Sequence, residues 1–416
     1  MTGLVDTIPK LQPDARKLRD VIAAGPTLEA LGLLLPGADV ARATVERVHF
    51  PAARPVQVQI RVETKTQGTL AVLAEWVGDA APDLAASEAA RLAKPRRGQM
   101  VPGSGPVLVA DTASGLVLRR PGFDTRLPGL RLLHDDDWAQ ARLGAMGLDP
   151  QSTRQLVAHR LGKRAVLRLD GRHGTCFARL RPVTSGAGKG AFDQHCALWG
   201  ALGTQADLTI PRPMGFDADI GVALFKALPG QSPMFMGAEG QTEVAAVMRA
   251  IAALHAVPLI APKHSATDEL DVLCAWFDRV QTVLPALAQG LLAPMHRIRQ
   301  QMDALAKPDF GLCHRDLHEG QVLLHRGRAG LLDFDTMRLA DPALDIGNLQ
   351  AHLVLAESRD GIPRRALIAA MEAARPELAP ERIRIWRNAA LLRLAMIYAF
   401  TTTPPAVINK LIQEVA

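Results

Sequence analysis

The stretch Cys313-His314-Arg315-Asp316-Leu317-His318-Glu319-Gly320-Gln321, followed by Leu331-Leu332-Asp333-Phe334-Asp335, decides the fold of this chain. Between the two runs lie apolar residues at 322–324, a polar turn at 325–328 and a second apolar run at 330–332. Two apolar runs around a polar turn predict a β-hairpin. The hairpin would bring together Asp316 and Asp333, which are seventeen residues apart in the sequence. Phosphoryl-transfer chemistry needs one carboxylate that faces a hydroxyl group and one that holds Mg²⁺.

Other interpretations of these residues remain open at this point. His-x-Asp and Asp-x-Asp triplets occur often in loops, and each alone carries little information. A metal-dependent hydrolase is a second hypothesis, in which His314, Asp316 and His318 ligate a transition metal together with Asp333 or Asp335. The segment after the hairpin favours phosphoryl transfer, because the order of loop, hairpin and helix start fits the helical lobe of a kinase.

Three linked motifs resemble the catalytic core of the aminoglycoside phosphotransferase and choline kinase group, small-molecule kinases with a protein-kinase-like fold. The H-G-D-x-x-x-x-N loop of that group corresponds to His314-Arg315-Asp316, with Gln321 at the Asn position. Its I-D-F strand end corresponds to Leu332-Asp333-Phe334, and its G-D-P-x-x-D-L helix start to Ala340-Asp341-Pro342-Ala343-Leu344-Asp345-Ile346. Asp345 resembles the buried carboxylate that such folds use to hold the catalytic-loop backbone.

The resemblance implies a fold class and a set of roles. The fold would be α+β and bilobal, with a β-rich amino-terminal lobe, a helical carboxyl-terminal lobe and an additional N-terminal α+β domain. ATP and Mg²⁺ would be the cofactors. Asp316, with His314 beside it, would be catalytic and would orient the substrate hydroxyl. Asp333 and Gln321 would hold Mg²⁺, and Asp335 would help with a second metal or cap the next turn.

Three β-rich runs at 154–160, 165–169 and 175–181 are separated by turn residues, which predicts an antiparallel meander. By the resemblance, this lobe would bind the nucleotide. The predicted nucleotide contacts are Gly162, Lys163 and Arg164 in the first turn, Arg179 on the third strand, and Ala223, Lys226 and Ala227 in the strand that joins the lobes. Arg179 stands where the resemblance places a Lys, and this departure leaves a catalytically impaired, nucleotide-binding regulatory module as an alternative. The loop 185–190 lacks P-loop spacing and is interpreted as a flexible connector.

The remaining segments are assigned by periodicity. From Gln241 onward apolar residues recur with a helical period, and helices are predicted at about 270–292 and 294–305. The predicted domains are 1–150, 151–230 and 231–416. The first of these contains β-rich runs whose order resembles the meander after residue 153, which indicates an internal duplication. This first domain is either a cap of the kind that maltokinases carry or a regulatory module.

The composition of the chain limits the class of protein, the compartment and the kinds of partner that we expect. The 416 residues are 48% hydrophobic, which excludes a disordered chain, and no apolar run approaches the roughly 20 residues of a membrane span. The start of the chain lacks the pattern of a signal peptide, and the four cysteines show no CxxC spacing, so we expect a cytoplasmic protein. Its net charge of +6 is dispersed and aromatic residues are 4%, which argues against nucleic acid as a partner.

The acceptor is expected to be a small molecule. A pocket for a polycationic aminoglycoside should be rich in carboxylates. Residues 231–305 instead carry nearly balanced acids and bases. A sugar or another neutral or acidic metabolite is therefore the predicted acceptor.

Overall fold

A computed structural model describes residues 15–51, 54–101, 105–203 and 207–415. The first six residues, which contribute to the expectation of an unexported chain, lie outside the described residues. Within the described ranges, no helix has both the length and the apolar content needed to cross a bilayer. The chain divides into two compact units. Unit 1 comprises Met1–Phe192, Pro213–Ala227 and Phe400–Thr402, and unit 2 comprises Asp193–Arg212, Leu228–Ala399 and Thr403–Ala416.

The elements are numbered in chain order over the described residues. The strands are β1 (Val40–His49), β2 (Val56–Thr64), β3 (Gly68–Trp76), β4 (Leu108–Asp111), β5 (Leu116–Arg119), β6 (Thr153–Arg160), β7 (Arg164–Gly171), β8 (Gly174–Leu180), β9 (Leu208–Thr209), β10 (Pro213–Asp217), β11 (Val222–Lys226), β12 (Gly311–Cys313), β13 (Val322–His325), β14 (Arg328–Leu331) and β15 (Arg338–Ala340). The helices are α1 (Ala15–Ala24), α2 (Leu28–Leu34), α3 (Ala81–Leu92), α4 (Asp136–Ala145), α5 (Ala187–Leu202), α6 (Gly237–His255), α7 (Ala266–Val283), α8 (Pro285–Asp303), α9 (Ala343–Asp360), α10 (Arg365–Ala373), α11 (Pro380–Tyr398) and α12 (Pro405–Gln413).

Unit 1 contains two five-stranded antiparallel sheets, which we call the first and second sheets. The first has the strand order β1-β2-β3-β5-β4, and the second has the order β6-β7-β8-β11-β10. In each sheet a three-stranded meander is followed by a 3₁₀ turn and a helix, and then by a hairpin whose second strand pairs with the third strand. The predicted meander is therefore confirmed, and the faint internal similarity in the sequence corresponds to a repeated topology.

Each sheet buries an apolar face. In the first sheet, Ile60 and Leu118 pack in one cluster with Leu31 and Leu34 of α2. A helix over one face of a sheet lets both bury apolar side chains, which is the main favourable term in folding. Thr27 caps α2 by accepting a hydrogen bond from the N–H of residue 30.

The second sheet follows the period-two rule of strands. On β8, Cys176, Ala178 and Leu180 are buried, whereas Arg179 between them is partly exposed. The buried face packs against α4 and the 3₁₀ turn Pro128–Leu133 that precedes it. Side chains of successive strand residues point to opposite faces, so Arg179 lies on the face away from this core.

A short carboxyl-terminal segment completes the first sheet. Phe400–Thr402 runs along β1, where the N–H of Val48 donates to the carbonyl of Phe400 at 2.8 Å. The N–H of Thr402 donates to the carbonyl of Glu46 at 3.1 Å. The edge of the first sheet is therefore covered by residues more than 350 positions away in the sequence.

Unit 2 is mainly helical. Helices α9 and α11 pack against each other and are buried along most of their length. The predicted hairpin is present as β13 and β14, and β9 adds to β14 in parallel. Strands β12 and β15 form a separate antiparallel pair. With a β-rich unit 1 and a helical unit 2, the chain is α+β, as predicted.

Two helix boundaries differ from the prediction. The periodicity predicts helices at about 270–292 and 294–305, but the structure breaks the helix at Leu284, between α7 and α8. Pro285 is the first residue of α8, a position where its missing N–H costs nothing. Pro294 lies inside α8, so the boundary predicted there is wrong.

The segment between β8 and α5 also differs from the prediction. The sequence predicts a flexible connector at 185–190, but α5 begins at Ala187, so most of this segment is the first helical turn. Gly186, at φ +61°, adopts the left-handed conformation just before the helix. The predicted boundary between 1–150 and 151–230 falls inside unit 1.

Candidate active site

The catalytic loop predicted from the sequence connects β12 to β13 in unit 2. Asp316 is exposed in this loop, and Gln321 closes it in a 3₁₀ turn just before β13. Asp333 lies two residues beyond the end of β14. The N–H of Leu332 donates to the carbonyl of Gln321 at 2.9 Å, which extends the β13–β14 pairing up to the residue before Asp333. The hairpin thus places the two predicted acidic positions at its open end.

His314 is the link between these two positions. Its side chain is fully buried, and Nε2 lies 2.6 Å from the carbonyl oxygen of Leu332. Because a carbonyl can only accept, Nε2 carries the proton, and Nδ1 accepts the N–H of Asp316 at 3.3 Å. Both ring nitrogens are therefore used inside the site. His314 cannot also ligate a transition metal, so the structure does not support the ligand set of the metal-dependent hydrolase hypothesis.

A second link comes from the backbone beside His314. Its carbonyl accepts the hydroxyl of Thr336 at 2.8 Å, and the guanidinium of Arg315 lies 3.4 Å from the carbonyl of Thr336. Phe334 is buried, and its ring centre lies 5.1 Å from that of His314 and 5.7 Å from that of His195 on α5. These contacts hold the segment after β14 against the catalytic loop.

Asp345 holds the loop from below, as the resemblance implied. Its carboxylate accepts the N–H of His314 at 2.8 Å and that of Arg315 at 2.7 Å, and it contacts Nε2 of His255 at 3.1 Å. Burial alone would raise the pKa of Asp345. The hydrogen bond and charge of His255, with the charge of His314 and the Arg315 amide, outweigh burial, and the pKa is lowered. Arg315 has φ +71°, so this carboxylate stabilises a backbone conformation that a residue with a side chain rarely adopts.

A buried ionic network lies beside the loop and was not predicted from the sequence. His264 contacts Glu269 at 2.9 Å and Arg315 at 3.2 Å, and Arg393 donates to both Glu269 and Asn348. Burial would raise the pKa of Glu269, but the charge of Arg393 and then the hydrogen bond of His264 bring it down to about 2.

This network reaches the catalytic loop itself, because the amide of Asn348 donates to the carbonyl of Leu317 at 2.8 Å. One signal for it exists in the sequence, since Asn348 stands three residues after Asp345, on the same face of α9. The other members come from separate segments of the chain, and no local pattern connects them.

The predicted metal ligands carry oxygen atoms of the type that Mg²⁺ prefers. Asp333 has φ +58°, and Asp335 lies in the 3₁₀ turn Phe334–Thr336. The amide nitrogen of Gln321 lies 3.3 Å from Nε2 of His318, which leaves its oxygen as the ligand atom. By donor type, two carboxylates and one amide oxygen would suit a hard divalent cation.

Unit 1 separates the residues of the predicted phosphate-binding turn. Gly162 and Lys163 line one cavity of about 480 Å³, whereas Arg164 lines another of about 470 Å³. The interpretation of this turn as phosphate-binding requires an exposed amide at Gly162, but that amide is buried and donates to the carboxylate of Asp124 at 2.6 Å. Lys163 is exposed and retains a charge that a phosphate could meet.

Asp124 is therefore a buried partner of this turn that the sequence did not indicate. It is buried, and besides the Gly162 amide it contacts Nε2 of His159 at 3.3 Å. Burial would raise the pKa of Asp124, but His159, Arg119 and the Gly162 amide together lower it to about 2. A carboxylate from the amino-terminal segment thus occupies the amide that was expected to face a phosphate.

The predicted strand contacts are also placed by the structure. Arg179 pairs with Ala223 across β8 and β11, and its guanidinium lies 6.0 Å from the ring centre of Phe225. Ala223 also pairs with Phe216 on the other side, so it lies in the interior of the sheet. A residue between two paired strands uses its backbone groups in the ladder, which leaves none for adenine.

The end of β11 is held by the neighbouring turn. The ammonium of Lys226 donates to the carbonyl of His173 at 2.6 Å, and the N–H of Ala227 donates to the carbonyl of Thr175 at 3.2 Å. The Lys226 side chain therefore fixes the β7–β8 turn. Only the remaining backbone groups of Lys226 and Ala227 could still contact adenine, and these contacts stay predictions.

Comparison with known proteins gives one family. Residues 153–386, more than half of the chain, match the model of the phosphotransferase enzyme family. This match confirms the resemblance that the three linked motifs indicated. No protein of curated function matches the chain.

Solved structures give more distant likenesses. The chain is similar to ethanolamine kinase of Plasmodium vivax at 11% identity and a TM-score of 0.48, over 67% of this chain and 86% of that one. Its identity to macrolide 2′-phosphotransferase of Brachybacterium faecium is 18%, with a TM-score of 0.46, over 68% of this chain and 97% of that one. Its identity to an aminoglycoside-3′-phosphotransferase of type VIII is 21%, with a TM-score of 0.45, over 61% of this chain and 97% of that one. At these values the likenesses carry no argument about substrate.

Proposed function

Because the chain belongs to the phosphotransferase enzyme family, we propose that it transfers the γ-phosphoryl group of ATP, in the presence of Mg²⁺, to a hydroxyl group of a small molecule. One observation carries this proposal. His314 joins the residue before Asp333 to the loop that presents Asp316, and Asp345 holds the same loop from the other side. Two acids on one rigid support are what phosphoryl transfer needs, since its catalysis rests on positioning and electrostatics.

Asp316 is proposed to act on the acceptor. Its exposed carboxylate would accept the hydroxyl proton while the acceptor oxygen bonds to the γ-phosphorus. The bond between the γ-phosphorus and the oxygen that bridges it to the β-phosphate breaks, and ADP leaves. His314 keeps Asp316 in place through its Nδ1, so we assign it a positioning role.

Asp333 and Gln321, with Asp335 beside them, are proposed to hold the metal. When bound, Mg²⁺ would neutralise charge on the phosphate oxygens. The left-handed backbone at Asp333 directs its carboxylate differently from a regular strand continuation, and strain of this kind often marks a functional position. On the nucleotide, Arg179 is proposed to take the place of the usual Lys.

The proposed acceptor is neutral or acidic, such as a sugar. Of the seven acids between residues 231 and 305, several serve the fold itself. Glu269 is buried between His264 and Arg393, Asp268 completes the cap of α7, and Glu243 accepts backbone N–H groups at 234 and 235. Few carboxylates remain in this region to offset the charge of an aminoglycoside.

ADP release from Mg·ATP by the full chain, with a panel of sugars, amino alcohols and an aminoglycoside, tests the proposal. A sugar or acidic hydroxyl compound should support turnover. Asp316→Asn and Asp333→Asn should each lower it by about 10²- to 10⁴-fold. Asp309→Asn, a change at an exposed acid of the same unit, should leave it unaltered.

Two other results would be decisive. Binding of Mg·ATP without transfer to any acceptor would favour a catalytically impaired module. This alternative is specific, because Arg179 stands where the family pattern has a Lys. Equal activity of the Asp333→Asn and Asp309→Asn variants would contradict the assigned metal site.

A further inference from the structure

The cavity that holds Gly162 and Lys163 has an unusual charge. It measures about 480 Å³ and lies wholly within unit 1. Of the described residues that line it, none is acidic and none is aromatic. Six of them carry positive charge: Arg54, Arg91, Arg97, Arg126, Lys163 and Arg181. Four of these six belong to the segment before the second sheet, so the amino-terminal segment contributes most of the charge.

Arg126 and Arg54 share the charge of the same two acids, Glu75 and Asp124. Arg126 pairs with Glu75 at 3.1 Å, but that carboxylate is also bound to the buried Arg119. Arg54 donates to the carbonyl of Leu161 at 3.3 Å, an uncharged acceptor. Burial and then the charge of Arg126 lower the pKa of Arg54, as expected when two cations are held together.

Arg97 gives an independent indication. Its Nη1 atom is buried and finds no hydrogen-bond acceptor among the described residues. A buried guanidinium donor without a partner is costly, so a ligand that accepts a hydrogen bond from it is favoured. Burial and then the charge of Arg91 lower the pKa of Arg97, so the arginines repel each other here as well. An anion in the cavity would satisfy the donor and relieve the repulsion.

The arginines are packed closely against the turn. A Cβ atom at Gly162 would lie 2.3 Å from Nη1 of Arg54 and 2.5 Å from Nη1 of Arg126. Any larger residue there would push the two guanidinium groups aside, and the φ of +59° also suits glycine. The turn is also held by uncharged and acidic groups, because Asp124 accepts the Gly162 amide and Gln57 donates to the carbonyl of Leu161, as Arg54 does. Ala187, the first residue of α5, also lines the cavity, and the positive end of that helix dipole adds to the field.

We propose that this cavity binds a chain of phosphate groups, and that the amino-terminal segment supplies most of its ligands through Arg54, Arg91, Arg97 and Arg126. Planar guanidinium forks suit phosphate oxygens, and several forks suit more than one phosphate. Without aromatic residues the described lining has no surface on which a base would stack. The cavity therefore recognises the phosphates themselves, either as the polyphosphate of a nucleotide or as a separate phosphate-bearing metabolite.

Titration calorimetry of the full chain with sodium pyrophosphate tests this proposal. The buffer contains EDTA and no Mg²⁺, and sodium chloride keeps the ionic strength constant. We expect saturable binding of one pyrophosphate. Arg97→Met should weaken it by about tenfold or more, since a charge-assisted hydrogen bond is lost. Arg96→Met, the same change at the adjacent exposed arginine outside the lining, should bind as the parent does.

Control measurements separate binding from folding and from catalysis. Arg97→Met should melt at the same temperature as the parent or higher, because its Nη1 loses no partner and a repulsion disappears. If it fails to fold, Arg91→Met at an exposed position replaces it. Asp333→Asn should bind pyrophosphate as the parent does. The proposed phosphate site can therefore be correct even if the proposed transfer reaction is not.

A non-hydrolysable ATP analogue with Mg²⁺ distinguishes the two sources of phosphate. If the analogue displaces pyrophosphate, the cavity takes the polyphosphate of a nucleotide. If the two bind together, it takes a separate phosphate-bearing ligand. Binding no stronger than that of sulfate at equal ionic strength, or equal affinity in Arg97→Met and the parent, would overturn the proposal.

Discussion

In each sheet the third strand begins with a glycine, and the residue five positions after that glycine pairs with a residue of the neighbouring strand. That partner is Arg119 in the first sheet and Ala223 in the second, so the two residues occupy equivalent positions. Arg119 lies between Glu75 and Glu88, at 2.6 Å from each, and only 1% of its side chain is exposed. Counting from the same glycine, Glu75 corresponds to Arg181, which lines the cationic cavity. One topology thus carries a closed ionic core in one copy and part of a cavity wall in the other.

Strand order therefore does not determine what a sheet does. The first sheet pairs its buried Arg119 with acids on β3 and α3. The second sheet presents Lys163 and Arg181 to a cavity whose described lining contains no acid. We infer that the first sheet supports the second, and that ligand binding in unit 1 belongs to the second sheet and the arginines that reach it.

The largest expected effect is on the closed core. Arg119→Met removes the cation between two buried carboxylates. It leaves Glu88 without this partner and Glu75 with Arg126 alone, so it should reduce the free energy of unfolding by about 3–5 kcal/mol. Arg61→Met, in the same sheet, removes an ion pair whose arginine is half exposed, and should cost less than about 1 kcal/mol. Urea unfolding measures both. Similar losses in the two variants would mean that the first sheet is not held by its buried charges.

A smaller effect is expected at the turn between β6 and β7. Gly162→Ala introduces a Cβ into the space filled by Arg54 and Arg126, at a positive φ, and should destabilise the protein by about 2–3 kcal/mol. Gly68→Ala, in the β2–β3 turn of the first sheet, also has a positive φ but meets no described atom within 4 Å. It should cost about 1 kcal/mol. The difference between the urea midpoints of the two variants measures the effect of the contact with the arginines. Equal midpoints would show that this contact does not affect stability.

The smallest of the three effects is a pH dependence that comes from Asp124. Its pKa is about 2 in the folded protein, below the ordinary value of 3.8, so the ionised form stabilises the fold above about pH 4. This contribution, about 2 kcal/mol, is lost as the pH falls toward 2. The Asp124→Asn variant lacks this group, so its unfolding free energy should fall less steeply between pH 4 and pH 2. Parallel curves for the two proteins would show that Asp124 does not hold the turn of the second sheet.

The sequence predicted the parts of the molecule that depend on local order. The β13–β14 hairpin and the three-stranded meander follow from apolar runs between turn residues, and Asp345 followed from a motif whose spacing fixes its place at a helix start. The predicted roles of Asp316 and Asp333 depend on the same spacing, and they remain to be tested.

Long-range contacts could not be predicted in this way. The bond between Asp124 and Gly162 joins residues 38 positions apart, and neither residue has a distinctive neighbourhood in the sequence. Arg119 stands beside Arg120 and resembles a solvated residue in the sequence, but the acids of β3 and α3 meet it in the interior. Such pairings depend on tertiary packing, which a single sequence read along its length does not reveal.

The strand-like contact of Phe400–Thr402 with β1 has a consequence for synthesis of the chain. The first sheet emerges early from the ribosome, yet its outer edge stays open until residues near 400 have been made. Closing a loop of this length adds only a modest entropic cost, so the final structure is not penalised much by the distance. During translation, however, the uncovered edge of β1 offers backbone groups to other nascent chains. Expression tags that delay release of the last residues would therefore lower the soluble yield more than tags at the opposite terminus.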